Sequence, residues 1–567
     1  MTTRREFLYA IGAAGTAASL NQAQDVFWEP EQTPNLGWTP GIEQHVRSTC
    51  LTCPGRCGIR GRVVDGKLVS IAGNRLHPMN RGGLCPRGVA GVQKLYHPER
   101  LEGPLMRTGE RGSNGWRRLS TNGAITLIAE RLTSLRESGN PASLGLLAGY
   151  CKGTMEDLWK QVLHAFGSPN YVADDYFDGT DAVMGLMHGI HKRPAYDLDN
   201  AELVVSFGAP LFESWWSPLQ AFVAFAPPEA EAQLRPRFVQ IDTRFSKTAA
   251  RSQEWVGIRP GTHAVLALGI AYVLIRDSIF DRGFVERFVT GFEDFERGGR
   301  IRQGFRSLVM SNYRTEEVSA ITGVPVGRIT DLARMIGEVE QPVAICGADV
   351  MQSPRGLLAG MAVHSLNVLT GSVRRRGGVI FREDTPLATL VPPTIDTIAT
   401  AGNRSERVGA MNPPMDHDVR ADRFAQAVTA GTESPIEALF LYYANPLAST
   451  KHPALWVQAL QRIPFVVSFS PFMDETSRQA DLILPDLFPY ERWQDAPAPD
   501  SYPYPVWSIT RPLVEPHEGA INTGDAVLQL ATAIGGTVAE SLPYQTMEAL
   551  LKDRARGLFE VRRGMVF

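Results

Sequence analysis

Cys50-Leu51-Thr52-Cys53-Pro54-Gly55-Arg56-Cys57 is followed, after twenty-seven intervening residues, by Cys85-Pro86-Arg87-Gly88. Three thiols crowd one tight loop and a fourth arrives from a distant one. Four cysteines in a three-plus-one grouping can surround an iron–sulfur cubane. Four thiolates also suit a tetrahedral zinc site, which usually draws them as two balanced pairs. A disulfide pairing is a third alternative in an oxidising compartment. Between the cysteines, Val63-Val64 and Lys67-Leu68-Val69 read as two short strands joined by an Asp65-Gly66 turn. Arg87 sets a fixed cation directly after the fourth cysteine. There it can stabilise a reduced, more negative cluster, or lie between the cluster and a second cofactor.

Upstream, Thr3-Arg4-Arg5-Glu6-Phe7-Leu8 precedes a soft apolar run over residues 9–20. Paired arginines ahead of such a run form the pattern of a twin-arginine export signal, the alternative being an ordinary amphipathic helix. The run is too short to cross a bilayer comfortably. No clean Ala-x-Ala cleavage pattern stands before Trp28. The twin-arginine route carries folded proteins, which suits a chain that acquires a bulky cofactor before export. The expected location is the periplasm or the outer face of the cytoplasmic membrane.

Downstream, the 567 residues exceed what one compact core usually holds. Apolar residues at 44% and charged residues at 21% are ordinary for a globular protein. A net charge of −3, with no basic tract beyond Arg374-Arg375-Arg376, gives no footprint for nucleic acid. The remaining cysteines, Cys151 and Cys346, lie in apolar stretches and read as core thiols.

Short apolar strands alternate with helical stretches, the pattern of parallel sheets. The expected fold is α/β: a small N-terminal iron–sulfur domain plus two doubly wound α/β domains, one interrupting the other. The expected boundaries are a signal over 1–30, a linker over 31–45 and the cluster domain over 46–105. A discontinuous domain comes next, over 106–149 and 341–567, with an insert over 150–340. Residues 385–423, rich in Pro, Thr and Asp, read as a long surface loop. The run Leu203-Val204-Val205 leads to a turn at Gly208, the usual place for a nucleotide in an open α/β sheet. A second strand, residues 238–241, ends in Asp242-Thr243-Arg244. Pro260-Gly261-Thr262 then opens an apolar helix, leaving backbone N–H groups free for phosphate.

The cysteine loop, with Gly73-Asn74, His77-Pro78, Asn80-Arg81-Gly82 and Tyr96-His97-Pro98-Glu99-Arg100-Leu101, resembles the opening of the molybdopterin oxidoreductases. This is the dimethyl sulfoxide reductase superfamily, and within it the polysulfide, thiosulfate and tetrathionate reductase-like branch. The resemblance implies a 4Fe–4S cluster on Cys50, Cys53, Cys57 and Cys85, and a bis(molybdopterin guanine dinucleotide) molybdenum centre. It implies pterin contacts from Arg87, Gly208, Ala209, Glu213, Ser214, Asp242, Thr243, Arg244, Pro260, Gly261 and Thr262. Asn445-Pro446 and Ala480-Asp481-Leu482 resemble later signatures of the same family, adding Asn445 and Asp481.

The chain departs from the family at three places. Gly167-Ser168-Pro169-Asn170 leads to Asp178 where the branch would place a cysteine ligand. Asp178 then either ligates molybdenum through oxygen, as a carboxylate suits a hard metal, or the ligand has been lost, with or without the metal. His188, downstream, is a candidate proton donor. The usual start of the first helix is altered to Ser120-Thr121-Asn122-Gly123-Ala124. The segment Arg511-Pro512-Leu513-Val514-Glu515-Pro516 resembles the end of the third domain, so the β-rich capping domain is expected to be missing or supplied by a partner. Two functions are open. One is an oxidoreductase acting on a small sulfur or nitrogen oxyanion; the other is a non-catalytic electron-transfer or scaffold subunit of a quinone-linked complex. Either implies a ferredoxin-like iron–sulfur subunit and a quinone-reactive membrane subunit as partners. A secreted zinc-binding protein is the remaining alternative.

Overall fold

The computed structural model describes residues 41–173, 179–226, 235–410 and 421–566. The expected export signal and Asp178 lie outside these residues. The chain divides into Met1–Gln44 and His45–Phe567, and the sheets and helices of the α/β architecture belong to the second unit.

The strands Gly58–Val64 and Lys67–Gly73 pair antiparallel, with Val64 opposite Lys67. Asp65 (φ 49°) and Gly66 (φ 77°) both turn left-handed between them. That is the mirror-image turn whose twist matches a hairpin, and Asp-Gly is among its preferred sequences.

Seven strands form the larger sheet, in the order Trp116–Arg118, Leu105–Arg107, Leu482–Ile483, Phe465–Ser468, Ala438–Tyr442, Leu144–Ala148 and Asn170–Ala173. The last five run parallel; the first two are antiparallel additions at the edge. Leu144–Ala148 and Ala438–Tyr442 are buried along their whole length, as parallel strands covered on both faces must be. Their side chains alternate between two cores. Leu144, Leu146, Phe440 and Tyr442 meet the helices Thr121–Glu137, Thr154–Phe166 and Thr523–Ile534. Leu147, Leu439 and Leu441 meet Ala421–Ala430 and Pro453–Arg462.

The smaller sheet is wholly parallel, in the order Glu254–Gly257, Arg237–Asp242, Leu203–Phe207 and Pro342–Cys346. Val205 and Val239 face a core with His263–Arg276 and Gly356–Leu369. Val204, Phe238 and Ile345 face Trp215 and Trp216.

Sheet membership moves both expected boundaries of the insert. Leu144–Ala148 and Asn170–Ala173 belong to the seven-stranded sheet, so the insert begins after Ala173 and not at 150. Pro342–Cys346 belongs to the smaller sheet, and Val379–Ile380 pairs with Ala195–Tyr196, so it runs on to about Ile380 and not 340. Strands buried on both faces are continuous apolar runs, and such runs do not say which sheet they join. The stretch read as a surface loop is also built in. It holds the helix Thr397–Asn403, where Asp396 accepts the Ala399 N–H at 2.8 Å, and Ala388 N–H donates to Arg554 O at 2.9 Å. Its composition is loop-like, but other elements satisfy its backbone groups.

Candidate redox and cofactor site

Cys50 N–H donates to Cys57 O at 2.8 Å and pinches the cysteine loop shut. Cys50 and Cys57 are buried. Burial pushes the Cys57 thiol up, and Cys50, Cys53 and Cys85 push it further. The Cys53 thiol is raised by burial, while the Gly55 N–H and Arg87 oppose the shift. The four sulfurs are therefore one electrostatic group, whose mutual repulsion as thiolates bound iron would relieve. Among the described residues no three His, Cys, Asp or Glu groups stand close enough to hold a single ion.

The loop touches both α/β halves. Arg56 (φ 46°) is buried, donates to Leu51 O and Tyr150 O at 3.2 Å each, and lies 5.0 Å over the Tyr150 ring. Tyr150 follows the strand Leu144–Ala148 of the larger sheet. On the other side, a Cβ added at Gly55 would stand 3.3 Å from Ser217 Oγ. Ser217 caps the helix Pro218–Phe225 of the insert.

At the C-terminal edge of the smaller sheet lies a cavity of about 690 Å³. Gly208, Asp242, Thr243, Arg244, Pro260 and Gly261 all line it, joined by His263, Asp349 and Arg355. A Cβ on Gly347 would stand 2.2 Å from Gly208 O, so the adjacent strand ends meet backbone to backbone. A Cβ on Gly261 (φ 76°) would meet nothing within 4 Å, leaving an open cradle there. Asp242 accepts from Thr243 N–H at 2.8 Å. His263 is only 7% exposed and its Nε2 has no partner. An orphaned buried nitrogen beside an open glycine turn is what a polar cofactor would complete.

The other expected contacts fall elsewhere. Ala209 is buried beneath Ser206, Glu213 accepts from Thr248 Oγ1 at 3.1 Å, and the Ser214 N–H donates to Pro210 O. Thr262 turns its hydroxyl back to Arg259 O at 2.7 Å. Asn445 stands beyond the C-terminal end of Ala438–Tyr442, bonded to Glu475 at 2.9 Å and Thr476 at 2.5 Å. Asp481 corrects the expectation. It precedes its strand and so sits at the opposite edge of the sheet, where its carboxylate accepts from Arg111 Nε at 3.0 Å and Val466 N–H at 2.7 Å. Both oxygens are engaged in holding the strands together.

His188 is not a lone histidine. Its Nε2 is 2.7 Å from Nε2 of His364, and the rings meet edge to face. Only one of the two facing nitrogens can carry a proton. Burial, then His188, pushes His364 down to about 3 from 6.5, and burial lowers His188 as well. The unfolded chain takes up this proton below its ordinary value while the folded chain does not. The His364 contribution to stability is thus present above that value and is lost as pH falls toward the folded one. Between pH 7 and pH 5 the wild-type protein should lose about 2 kcal/mol more than His364→Gln. Urea midpoints at the two pH values measure this, and equal losses would refute it.

A second cavity of about 620 Å³ collects Lys152, Lys160, Arg193, Arg382 and Arg407, together with Tyr171 and Asp181 from either side of residues 174–178. Glu156, Asp384 and Asp500 line it too and pair most of these cations: Lys152 and Lys160 with Glu156, Lys192 with Asp384, and Arg193 and Arg382 with Asp500.

The molybdopterin oxidoreductase family profile matches residues 100–494, and the molybdopterin oxidoreductase Fe4S4 domain matches 43–97. The chain belongs to the molybdopterin oxidoreductase family. The two matches assign it a molybdenum–pterin cofactor and a 4Fe–4S cluster. It is 29% identical to the menaquinone reductase molybdopterin-binding-like subunit of Nitratidesulfovibrio vulgaris, covering 97% of this chain and 74% of that protein. It is 25% identical to the thiosulfate reductase molybdopterin-containing subunit PhsA of Salmonella typhimurium, covering 96% and 71%. Acetylene hydratase from Pelobacter acetylenicus shares the fold, with a TM-score of 0.74 at 21% identity over 90% of this chain and 72% of that one. Among the described residues no helix is long and apolar enough to cross a membrane.

Proposed function

We propose that this molybdopterin oxidoreductase exchanges single electrons with a respiratory partner through a cluster on Cys50, Cys53, Cys57 and Cys85, and acts on a small sulfur or nitrogen oxyanion. The observation that carries this reading is the cysteine loop seated against Tyr150 of one α/β half and Ser217 of the other. A cluster there adjoins both halves that would hold a bis(guanine dinucleotide) pterin. When bound, the molybdenum–pterin supplies oxygen-atom transfer coupled to a two-electron change. Arg87 balances the charge of the reduced cluster. Gly208, Asp242, Thr243 and Gly261 cradle one nucleotide end. Asp178 supplies the protein ligand through oxygen. His188 is held neutral by burial and so can pass a proton on rather than trap it. Export by the twin-arginine route places the subunit in the periplasm, with a ferredoxin-like subunit and a quinone-reactive membrane subunit as partners.

A second reading has its own support: a subunit that relays electrons without oxygen transfer. The Nitratidesulfovibrio vulgaris relative, named as a molybdopterin-binding-like subunit, aligns along 97% of the chain, and an aspartate stands where a cysteine ligand is expected. Metal content after native export separates the two. The first reading expects about one molybdenum beside about four iron per chain, and Asp178→Ala should lose molybdenum while keeping iron. Iron without molybdenum or tungsten would leave the relay reading standing alone.

A further inference from the structure

Tyr490 is 1% exposed, and its hydroxyl reaches into the cysteine loop, where it bonds to Cys50 and Thr52. Thr52 Oγ1 in turn lies 3.4 Å from Cys50 Sγ. One sulfur of the four is therefore met by two side-chain hydroxyls. One comes from its own loop and the other from a segment far along the chain. Cys53, by contrast, is met by a backbone group, the Gly55 N–H, and by Arg87.

The phenol is held where it is from several sides. Tyr490 O accepts the Leu513 N–H at 2.7 Å, and its ring meets Phe488 edge to face at 5.4 Å. Glu491, next in the chain, is tied to Arg100 by two bonds, and Arg492 pairs with Asp486. A Cβ on Gly91 would stand 2.4 Å from the Tyr490 hydroxyl oxygen. The helix Gly91–Leu95 thus passes so close to the hydroxyl that only a glycine leaves room for it. Cys50, Cys57 and Tyr490 share one apolar core, so water does not compete for the sulfur.

A hydroxyl beside a thiol can give the hydrogen-bonding proton or take it. Once iron holds the sulfur, Cys50 has no proton to give and is an acceptor only. Tyr490 then donates to the sulfur, and Thr52 donates to the sulfur or to the Tyr490 oxygen. Hydrogen bonds to its sulfurs are among the levers that set the potential of a cluster. A bond to an anionic acceptor is stronger than a neutral one. It strengthens as negative charge on the sulfur grows, so it favours the reduced state.

We propose that Tyr490 and Thr52 are positioning residues whose hydroxyls raise the reduction potential of the 4Fe–4S cluster through the sulfur of Cys50. This rests on the cluster reading above. Reduction brings one electron from the respiratory partner; both protons stay on their oxygens and no covalent bond changes.

The test is a redox titration of the purified, cluster-loaded full chain, followed by the electron paramagnetic resonance of the reduced cluster. Iron is counted on the same samples. Tyr490→Phe and Thr52→Val should each lower the midpoint with iron still at about four per chain. Together they should disfavour the reduced state about tenfold, a fall of about 59 mV for a one-electron couple. Thr52→Ser keeps the hydroxyl and should stay with the wild type. Tyr502→Phe removes another buried phenol of the same core, one beside Asp199 and Arg81 rather than the thiols, and should leave the midpoint unchanged. Unmoved or raised midpoints in Tyr490→Phe and Thr52→Val, or a Thr52→Ser shift equal to that of Thr52→Val, would each overturn the proposal. If one variant loses its iron, the other decides; loss of iron in both would make the hydroxyls purely structural and overturn the tuning role. Four iron with unmoved midpoints sinks this inference alone, whereas a wild type without iron sinks the cluster reading with it.

Discussion

Cys57→Ser is expected to drop iron from about four per chain to under about one, with loss of the broad visible absorption of the cluster. Cys57 is buried, and its carbonyl already closes the loop onto Cys50 N–H. The next residue, Gly58, is fastened from both sides by Asn80, which accepts its N–H at 2.9 Å and donates to its carbonyl at 3.0 Å. A Cβ there would stand 2.6 Å from the His77 ring. The backbone therefore cannot shift to bring a replacement ligand, and a serine hydroxyl is a poor substitute for thiolate at iron. Because metal affinity is part of folding free energy, the loop should also become protease-sensitive near Arg56, weakening the contact with Tyr150. Cys151→Ser is the control: that thiol is buried outside the loop, at 4% exposure, and its loss should leave iron unchanged. Iron retained in Cys57→Ser would remove this residue from the ligand set. Zinc found in the wild-type protein would replace the cluster altogether.

The parts of the site that were legible in the sequence are local. The thiols announce themselves by spacing, and Asp65-Gly66 dictates its hairpin because few residue pairs tolerate two positive φ angles in a row. The cavity residues Gly208, Asp242 and Gly261 could be picked out because parallel strands end at one edge and loops there must serve any ligand. Residues brought together from afar gave no such signal. His364 sits in an apolar helix, and its partner His188 is 176 residues away. The cations of the second cavity come from positions 152 to 407, each unremarkable alone. Asp481 misled because a signature quoted in order does not say on which side of its strand a residue falls. His263 left a faint trace, as the one imidazole in the first turn of an otherwise apolar helix.

Arg100→Ala should cost about 3–5 kcal/mol of unfolding free energy, the range for stripping one partner from a buried ion pair. Arg100 donates to Glu491 through two bonds, Nη1 to Oε1 at 3.0 Å and Nη2 to Oε2 at 2.6 Å. The side chains are 5% and 4% exposed. Nη1 also donates to Leu95 O at 2.9 Å, and Glu491 accepts Phe488 N–H at 2.8 Å. The pair bolts the end of the cluster domain to a segment almost four hundred residues further on. Removing the guanidinium leaves a carboxylate with no water to turn to, so the loss comes from the stranded charge more than from the broken bonds. A stranded charge can be cured by removing it. Arg100→Met with Glu491→Leu removes both charges and should recover most of the loss, whereas Arg100→Lys should not, because an ammonium cannot reproduce the two-pronged geometry. Guanidinium chloride unfolding of the wild type, Arg100→Met, Glu491→Leu and the double variant gives the coupling energy directly. A double variant as unstable as Arg100→Ala would place the stabilisation in the shape of the side chains, and a cost below about 1 kcal/mol for Arg100→Ala would mean that water reaches the pair, as it does for exposed ones.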